Sequence, residues 1–524
     1  MLRVGAVTAD TRGARVHYVR TLWELMERRV DSTPDALMAV DEDMRTLTFA
    51  EFWAEAELAA AGLAAVGVDR GDVVTWQLPT WIESLVLVAA LSRLGVEQNP
   101  VLPTYRRREL DHITAQAGTS LLVTPSTWRG FDHEALATEV ARAQGGMRVL
   151  VADRALPQGD PTSLPSLDDV DPVGDQPTSW LFATSGTTAE PKLARHSDAS
   201  LLAAARGMSV RLELIPQDRN ALVFPVTHIG GIVWLLASLE SGCANILTEA
   251  FDPERTVEVL GREGVTLAGA GTFFHQAYLD QQRRRLEPIF PDVRAFPGGG
   301  APKPPTLAAE LRAAFDAPVL SGYGSTEAPI LTMAGLGDAD EQLATSEGRP
   351  TSGVELRFVA LDGRLVTPGE EGEIRVRAPQ MMAGYLDPAL DHEAFDDDGF
   401  FRTGDLGRLD EHGDLVVTGR TKDIIVRKGE NVSAKEVEDL LFLHDKVADV
   451  AVIGLPDADS GERVCAVVQL AGGDGVSFDE MIIHLRDQGL MSQKLPEQLE
   501  IVESLPRNPS GKVLKHVLRD EFKG

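Results

Sequence analysis

Residues 180–196 read WLFATSGTTAEPKLARH. The apolar run 180–183 predicts a buried strand that delivers the chain into five small residues, Thr184, Ser185, Gly186, Thr187 and Thr188. Such a loop offers hydroxyls, backbone N–H groups and an uncrowded backbone, the chemistry that cradles phosphate oxygens. Lys192, just after Pro191, adds a positive charge, and Ser197 is placed to cap a following helix. Read alone, a small hydroxyl-rich loop is most often an ordinary connection between a strand and a helix. The string also lacks the spacing Gly-x-x-x-x-Gly-Lys-Ser/Thr, which argues against a P-loop NTPase.

Working outward from this loop, apolar residues recur at helical spacing in 22–28 and 49–66, and 81–94 predicts an apolar-faced helix. Short buried strands are expected at 72–76 and 120–123. Strands alternating with helices favour an α/β architecture with mainly parallel sheets. Residues 156–178, rich in Pro, Asp, Gly and Ser, read as a surface loop. From 354 the pattern turns β-rich at 354–361, 373–377 and 414–418, and the alternation in 354–359 points to a half-buried antiparallel element. The final stretch predicts helix 434–443, strands 449–453 and 464–470, helix 478–488, strand 499–502 and helix 515–522, a set able to hold its own core. The expected organisation is a large domain of parallel α/β sheets plus a β-rich subdomain at 1–419, a hinge at 420–422, and a small, mobile α+β domain at 423–524.

Four more strings carry chemistry. In SGYGSTE, 321–327, glycines flank Tyr323, whose ring can meet a planar base; Thr326 can bond a phosphate and Glu327 can hold a hard divalent cation. In FFRTGDLG, 400–407, the carboxylate of Asp405 follows a glycine turn and can accept both hydroxyls of a ribose. GRTKDIIVRKGENV, 419–432, gathers Arg420, Lys422, Arg427 and Lys428 around the expected domain junction. PRNPSGKVLK, 506–515, is a Pro- and Gly-fixed loop that projects Lys512. Each string alone also fits a plain turn or a solvated side chain.

Composition narrows the field. The chain has 524 residues and a net charge of −30, a field that repels nucleic acid and anionic membranes. Cys243 and Cys465 are too few and too far apart for a disulfide framework or a zinc site, and a reducing, cytoplasmic setting fits. The N-terminus has no continuous apolar segment of the secretory kind, and no apolar run approaches the roughly 20 residues that span a bilayer. Lysine occurs ten times against forty arginines, and eight of those lysines lie after residue 420. Of the two others, Lys192 stands in the hydroxyl-rich loop. The few lysines thus fall where anionic groups would be met.

The order of these strings is more specific than any one of them. Thr-Ser-Gly-Thr-Thr-x-x-Pro-Lys, Tyr-Gly-x-Thr-Glu, Arg-Thr-Gly-Asp, Gly-Arg-x-Lys-Asp and Pro-Arg-x-x-x-Gly-Lys, in this order, closely resemble the adenylate-forming superfamily, which includes acyl-CoA synthetases, firefly luciferase and adenylation domains of nonribosomal peptide synthetases. The resemblance covers nearly the whole chain. It implies that the loop 184–192 grips the β- and γ-phosphates of ATP and that Tyr323 stacks on adenine in a pocket with Gly299, Gly300, Ala301 and Gly324. It further implies ribose contacts from Asp405 and Arg420, Thr326 near the α-phosphate, Glu327 as the Mg2+ ligand and Lys422 as the hinge residue. Lys512 would bridge carboxylate and α-phosphate, and Lys428, Gly429 and Glu430 would shape a channel for coenzyme A. In VFPVTHIGG, 223–231, His228 would flank the substrate carboxylate and later the thiol. Two positions depart from the family pattern, Ala189 and Leu193 replacing glycines; the extra side chains would stiffen the phosphate loop or slow turnover, and neither removes a donor the chemistry needs.

The stretch 76–110 resembles ligases for medium-chain and alicyclic acids. The expected pocket segments are 225–233, 269–274, 297–301 and 321–331; the first, second and fourth hold no Lys or Arg, which argues against a second acidic group on the substrate, and their small residues leave volume for a bulky apolar acid. The reading is an ATP- and Mg2+-dependent acid–thiol ligase acting on a small-molecule carboxylic acid. Secondary metabolism is compatible with this, and a homodimer is left open. Its rivals are an adenylation-only enzyme serving a partner protein, an enzyme using a different acceptor, and a nucleotide-binding module without turnover. The acidic string 391–398 and the triplets 106–108 and 283–285 read as solvated surface, and both cysteines as core thiols.

Overall fold

The computed structural model describes residues 19–166, 179–184, 191–300, 305–360, 362–367, 369–427, 430–457, 460–472, 475–507 and 512–523. Its centre is a six-stranded sheet in the spatial order Lys192–His196, Trp180–Thr184, Glu97–Pro100, Val73–Trp76, Leu121–Thr124, Arg148–Val151. Five of these run parallel, and Lys192–His196 is an antiparallel edge. The central strands are largely buried, as expected for a parallel sheet covered on both faces. Among the helices, Ile82–Leu94 is almost wholly buried and stops at left-handed Gly95. Its neighbour Phe49–Ala65 starts on a capping box, Thr48 with Glu51.

A second sheet orders Arg219–Leu222, Ala244–Leu247 and Leu37–Asp41 in parallel, with antiparallel Thr46–Thr48 at its edge. A third begins with the parallel pair Phe296–Gly299 and Val319–Tyr323 and continues antiparallel through Thr332–Met333 and Arg349–Pro350. The β-rich part is an antiparallel sheet of Glu355–Val359, Gly372–Arg377, Phe401–Leu409 and Leu415–Arg420. The C-terminal unit has its own sheet, in which Gly461–Leu470 lies between Val447–Asp457 and Gln498–Val502. Its core of Val437, Val452, Val468 and Leu485 is separate from the cores of the large unit. The mixed α/β class and the large-then-small order are therefore as the sequence predicts.

Local differences have physical causes. The described part of the Pro-rich stretch 156–178 is on the surface but not loose, because Gly159 N donates to Leu58 O at 2.9 Å and ties it to the helix Phe49–Ala65. A strand, Lys192–His196, intervenes between the hydroxyl-rich loop and the helix Asp198–Arg211 that Ser197 caps. Leu193 lies in that strand opposite Ala183 and is fully buried. Leu193 is thus a core residue of the strand that leaves the loop, while Ala189 lies outside the described residues. Both cysteines are buried, and burial pushes their thiols up, to about 11 for Cys243 and about 12 for Cys465.

Candidate active site

The third sheet and the β-rich sheet meet at Tyr323. The parallel strands ending at Gly299 and Tyr323 approach so closely at Gly299 and Gly322 that a methyl group on Gly299 would collide with Gly322 O. Tyr323, at the strand end, donates its hydroxyl to Asp405 Oδ2 at 2.7 Å. Asp405 and Arg420 are directly opposed across neighbouring strands, and Arg420 Nε donates to Asp405 Oδ1. Burial, then the Asp405 charge, push the Tyr323 hydroxyl well above its ordinary value, so the group stays a neutral donor. Burial alone would weaken the Arg420 cation, but the Asp405 charge and hydrogen bond outweigh it and raise its pKa. The three side chains named for adenine and ribose thus form one charge-balanced cluster.

The turn after Tyr323 carries Gly324, Thr326 and Glu327. Buried His196, from the edge strand, bonds Thr326 O through Nε2 at 2.8 Å. A carbonyl can only accept, so this nitrogen carries the proton. Glu327 is fixed twice by one segment: Met382 N donates to its backbone oxygen at 2.8 Å, and Tyr385 donates its hydroxyl to Oε1 at 2.9 Å. Lys192 Nζ stands 5.2 Å from the centre of the Tyr385 ring. Lys192 opens its strand directly opposite Thr184, while Ser185, Gly186, Thr187 and Thr188 lie outside the described residues.

Lys512 comes from the small unit and is half-buried. Burial, then the Arg420 charge, lower its pKa, and Asp405 and Asp423 oppose that shift. It therefore lies within electrostatic reach of the Tyr323–Asp405–Arg420 cluster. Lys422 sits in the short 3-10 turn Thr421–Asp423 between the two units, where Thr421 Oγ1 donates to Gly404 O at 2.9 Å. Asp423 accepts from Arg519 at 2.8 Å and faces Lys515 at 3.9 Å. Lys428, Gly429 and Ala301 lie outside the described residues; Glu430 opens the strand Glu430–Ser433 opposite Arg427, and Gly300 has a φ of 78°.

His228 caps the helix Ile229–Ser241: its Nδ1 accepts from Gly230 N at 3.1 Å. Burial lowers its pKa to about 4, so the ring is neutral near pH 7 with its proton on Nε2. Thr80, which the sequence did not single out, orders this loop by donating to Phe224 O at 3.1 Å and accepting from Val226 N at 3.0 Å. Tyr385 and His196 were missed as well. The dipeptide Gly384-Tyr385 was the one available signal for the first; His196 ends the quoted string, but its partner Thr326 lies 130 residues away.

The basic triplets lie at the surface, whereas the acidic string, read from the sequence as a solvated turn, is partly tied into the fold. Arg107 pairs with Asp111 and Arg283 with Asp280 and Glu310. In the acidic string Asp391 accepts from Tyr385 N, and Asp396 pairs with Arg375. Among the described residues no group of three His, Cys, Asp or Glu is arranged to hold a metal ion, and no helix is long and apolar enough to cross a membrane.

Residues 26–386 match the family model for AMP-binding enzymes, and residues 436–512 match the AMP-binding enzyme C-terminal domain. The salicyl-AMP ligase / salicyl-S-ArCP synthetase of Mycobacterium tuberculosis is 31% identical, covering 97% of this chain and 92% of its own. The 2-hydroxy-7-methoxy-5-methyl-1-naphthoate–CoA ligase of Streptomyces carzinostaticus is 33% identical, covering 95% and 93%. Among solved structures, the o-succinylbenzoate coenzyme A synthetase of Bacillus subtilis in complex with ATP and magnesium superposes with a TM-score of 0.81 at 27% identity, covering 95% of this chain and 99% of that one. The chain belongs to the AMP-binding enzyme family. It is an adenylate-forming ligase that activates a carboxylic acid.

Proposed function

We propose that this ligase converts an apolar, bulky acid, medium-chain or cyclic, to an acyl-AMP and then to an acyl-CoA. The observation that carries the reading is the half-burial of Lys512 within reach of Asp405 and Arg420. In the first step a carboxylate oxygen attacks the α-phosphorus of ATP, the bond to the bridging oxygen breaks, and pyrophosphate leaves. Two anions must approach each other, so the site has to supply positive charge where negative charge accumulates. Lys512 is a point charge on a long stem, able to reach between the carboxylate and the α-phosphate. In the second step the thiol sulfur of coenzyme A attacks the acyl carbon, the bond to AMP breaks, and the thiol proton is released.

The same reading assigns the other roles. Tyr323 faces adenine, with Gly299, Gly300, Ala301 and Gly324 beside it, and Asp405 and Arg420 take the ribose. Thr184, Ser185, Gly186, Thr187, Thr188 and Lys192 hold the outer phosphates, with Thr326 at the inner one. Glu327 suits Mg2+ because a carboxylate oxygen is the donor a hard divalent cation takes, and the ion there would neutralise phosphate charge. His228 flanks the carboxylate. The units 1–419 and 423–524 turn about 420–422, with Lys422 as the pivot, exchanging Lys512 for the loop of Lys428, Gly429 and Glu430.

The similarity to a salicyl-AMP ligase supports a second reading, in which the adenylate passes to a partner protein rather than to coenzyme A. One experiment separates the two. A library of carboxylic acids is screened for acid-dependent pyrophosphate release, and each active acid is then incubated with coenzyme A and analysed by mass spectrometry. A thioester is the expected product. Adenylate without thioester would overturn the coenzyme A reading and leave the second.

A further inference from the structure

The geometry points to Tyr385 as the positioning residue that presents Glu327 to the metal and at the same time seats Lys192, an inference that rests on the metal and phosphate roles proposed above. Tyr385 is buried, at 4% exposure, and a buried tyrosine hydroxyl needs a partner. It finds Glu327 Oε1 at 2.9 Å. That bond takes one lone pair of Oε1 and fixes the rotation of the carboxylate, which leaves Oε2 and the second lone pair of Oε1 to face a cation. The ring of the same side chain has Lys192 Nζ at 5.2 Å from its centre, the arrangement of a cation–π contact.

The backbone makes the placement firm. Ala383 N donates to Arg195 O, Arg195 N to Gly384 O and Leu386 N to Leu193 O, so 383–386 is bound to the edge strand Lys192–His196 through an antiparallel bridge between Ala194 and Tyr385. Met382, one residue earlier, donates to Glu327 O. Tyr385 N donates to Asp391 Oδ1 at 2.8 Å. Gly384 is required at this bend: its φ is 127°, and a methyl group there would collide with the Asp391 carboxylate. The segment thereby fastens the lysine that leaves the phosphate loop and the carboxylate of the Tyr-Gly-x-Thr-Glu turn to a single aromatic side chain. Nothing in either motif specifies that link.

The test uses Tyr385→Phe, which keeps the ring and loses the hydroxyl, with Tyr385→Leu and Glu327→Gln alongside. ATP affinity is measured by calorimetry with and without Mg2+ in the absence of acid, and the Mg2+ dependence of pyrophosphate exchange is measured at saturating ATP. Tyr385→Phe is expected to raise the Mg2+ half-saturation by roughly tenfold, the scale of one hydrogen bond to a charged group. Its metal-free ATP affinity is expected to stay within about twofold. Tyr385→Leu is expected to weaken metal-free ATP binding as well, by about two- to fivefold, as Lys192 loses the ring. A generally loosened structure would instead shift both affinities in Tyr385→Phe, which overturns the inference. An unchanged Mg2+ dependence in Tyr385→Phe, with a raised one in Glu327→Gln, overturns the role of Tyr385 alone. No change in Glu327→Gln overturns it together with the metal role of Glu327.

Discussion

Lys515 Nζ lies 2.7 Å from Oε1 of Glu438, a carboxylate held in the core of the small unit. The same oxygen accepts from Val452 N at 2.7 Å. Burial raises the Glu438 pKa, and the charge and hydrogen bond of Lys515 oppose that rise, so the carboxylate depends on its partner. Lys515→Met is therefore expected to destabilise the small unit by about 3–5 kcal/mol, because it leaves a buried charge uncompensated. Thermal or urea unfolding reads the loss. Adding Glu438→Gln should recover part of it, since the amide oxygen still accepts from Val452 while the stranded charge is gone. If the double variant were less stable than Lys515→Met, the account of the pair would be wrong.

Tyr323→Phe removes the hydroxyl that holds Asp405 Oδ2 and leaves the ring in place. A hydrogen bond to a charged group has a strength that converts to roughly a tenfold or greater effect. The Michaelis constant for ATP is expected to rise by about that factor in pyrophosphate exchange, with the constant for the acid nearly unchanged. Equal shifts in both would show that Tyr323 acts through general packing rather than through Asp405.

Lys512→Ala is expected to lower the adenylation rate by about a hundredfold to a thousandfold, the scale for losing one preorganised donor from a transition state. Thioester formation from supplied acyl-AMP should fall by less than about threefold. The two half-reactions are read separately, by pyrophosphate exchange and by mass spectrometry. Equal loss of both steps would count against a lysine that serves only one of them.

Among the described residues three histidines set an acid limit, buried His133 and His196 and half-buried His228. Burial holds His133, His196 and His228 each at about 4, against an ordinary value of about 6.5. Between these values the unfolded chain binds more protons than the folded one, so stability rises with pH. Their contribution is complete above about 6.5 and is lost as the pH falls toward about 4, with a slope of up to about 1.4 kcal/mol per pH unit for each ring. Unfolding free energy measured across this window should show the decline, and His196→Gln, whose amide can still donate to Thr326 O, should flatten it. A slope identical to that of the parent chain would exclude His196 from the effect.

Much of the fold is legible because its elements are strongly patterned. The helices at 49–66 and 81–94 and the strands at 72–76 and 120–123 announce themselves by periodicity, and the structure places them within a few residues of those bounds. The strand Lys192–His196 is harder to see, because its polar ends hide a short apolar centre and its partner is supplied by the strand it turns back upon. The site is legible in part for a related reason. Asp405, Arg420 and Tyr323 stand in distinctive local strings, and folding brings them together. Tyr385 and Thr80 act through partners 58 and 144 residues away, and contacts of that kind leave no mark on local sequence.

The pairing of Asp405 with Arg420 has a mechanical consequence. Only Thr421 separates Arg420 from Lys422, and two residues of fully extended chain reach about 7 Å at most. There is no slack between the pocket and the turn that joins the two units. Any rotation at Lys422 must pull on the arginine that Asp405 holds, and any ligand that grips that pair must resist or assist the rotation. On the roles proposed for Asp405, Arg420 and Lys422, nucleotide occupancy and orientation of the small unit become one linked equilibrium, in which a nucleotide shifts the populations by the difference in its affinity for the two orientations.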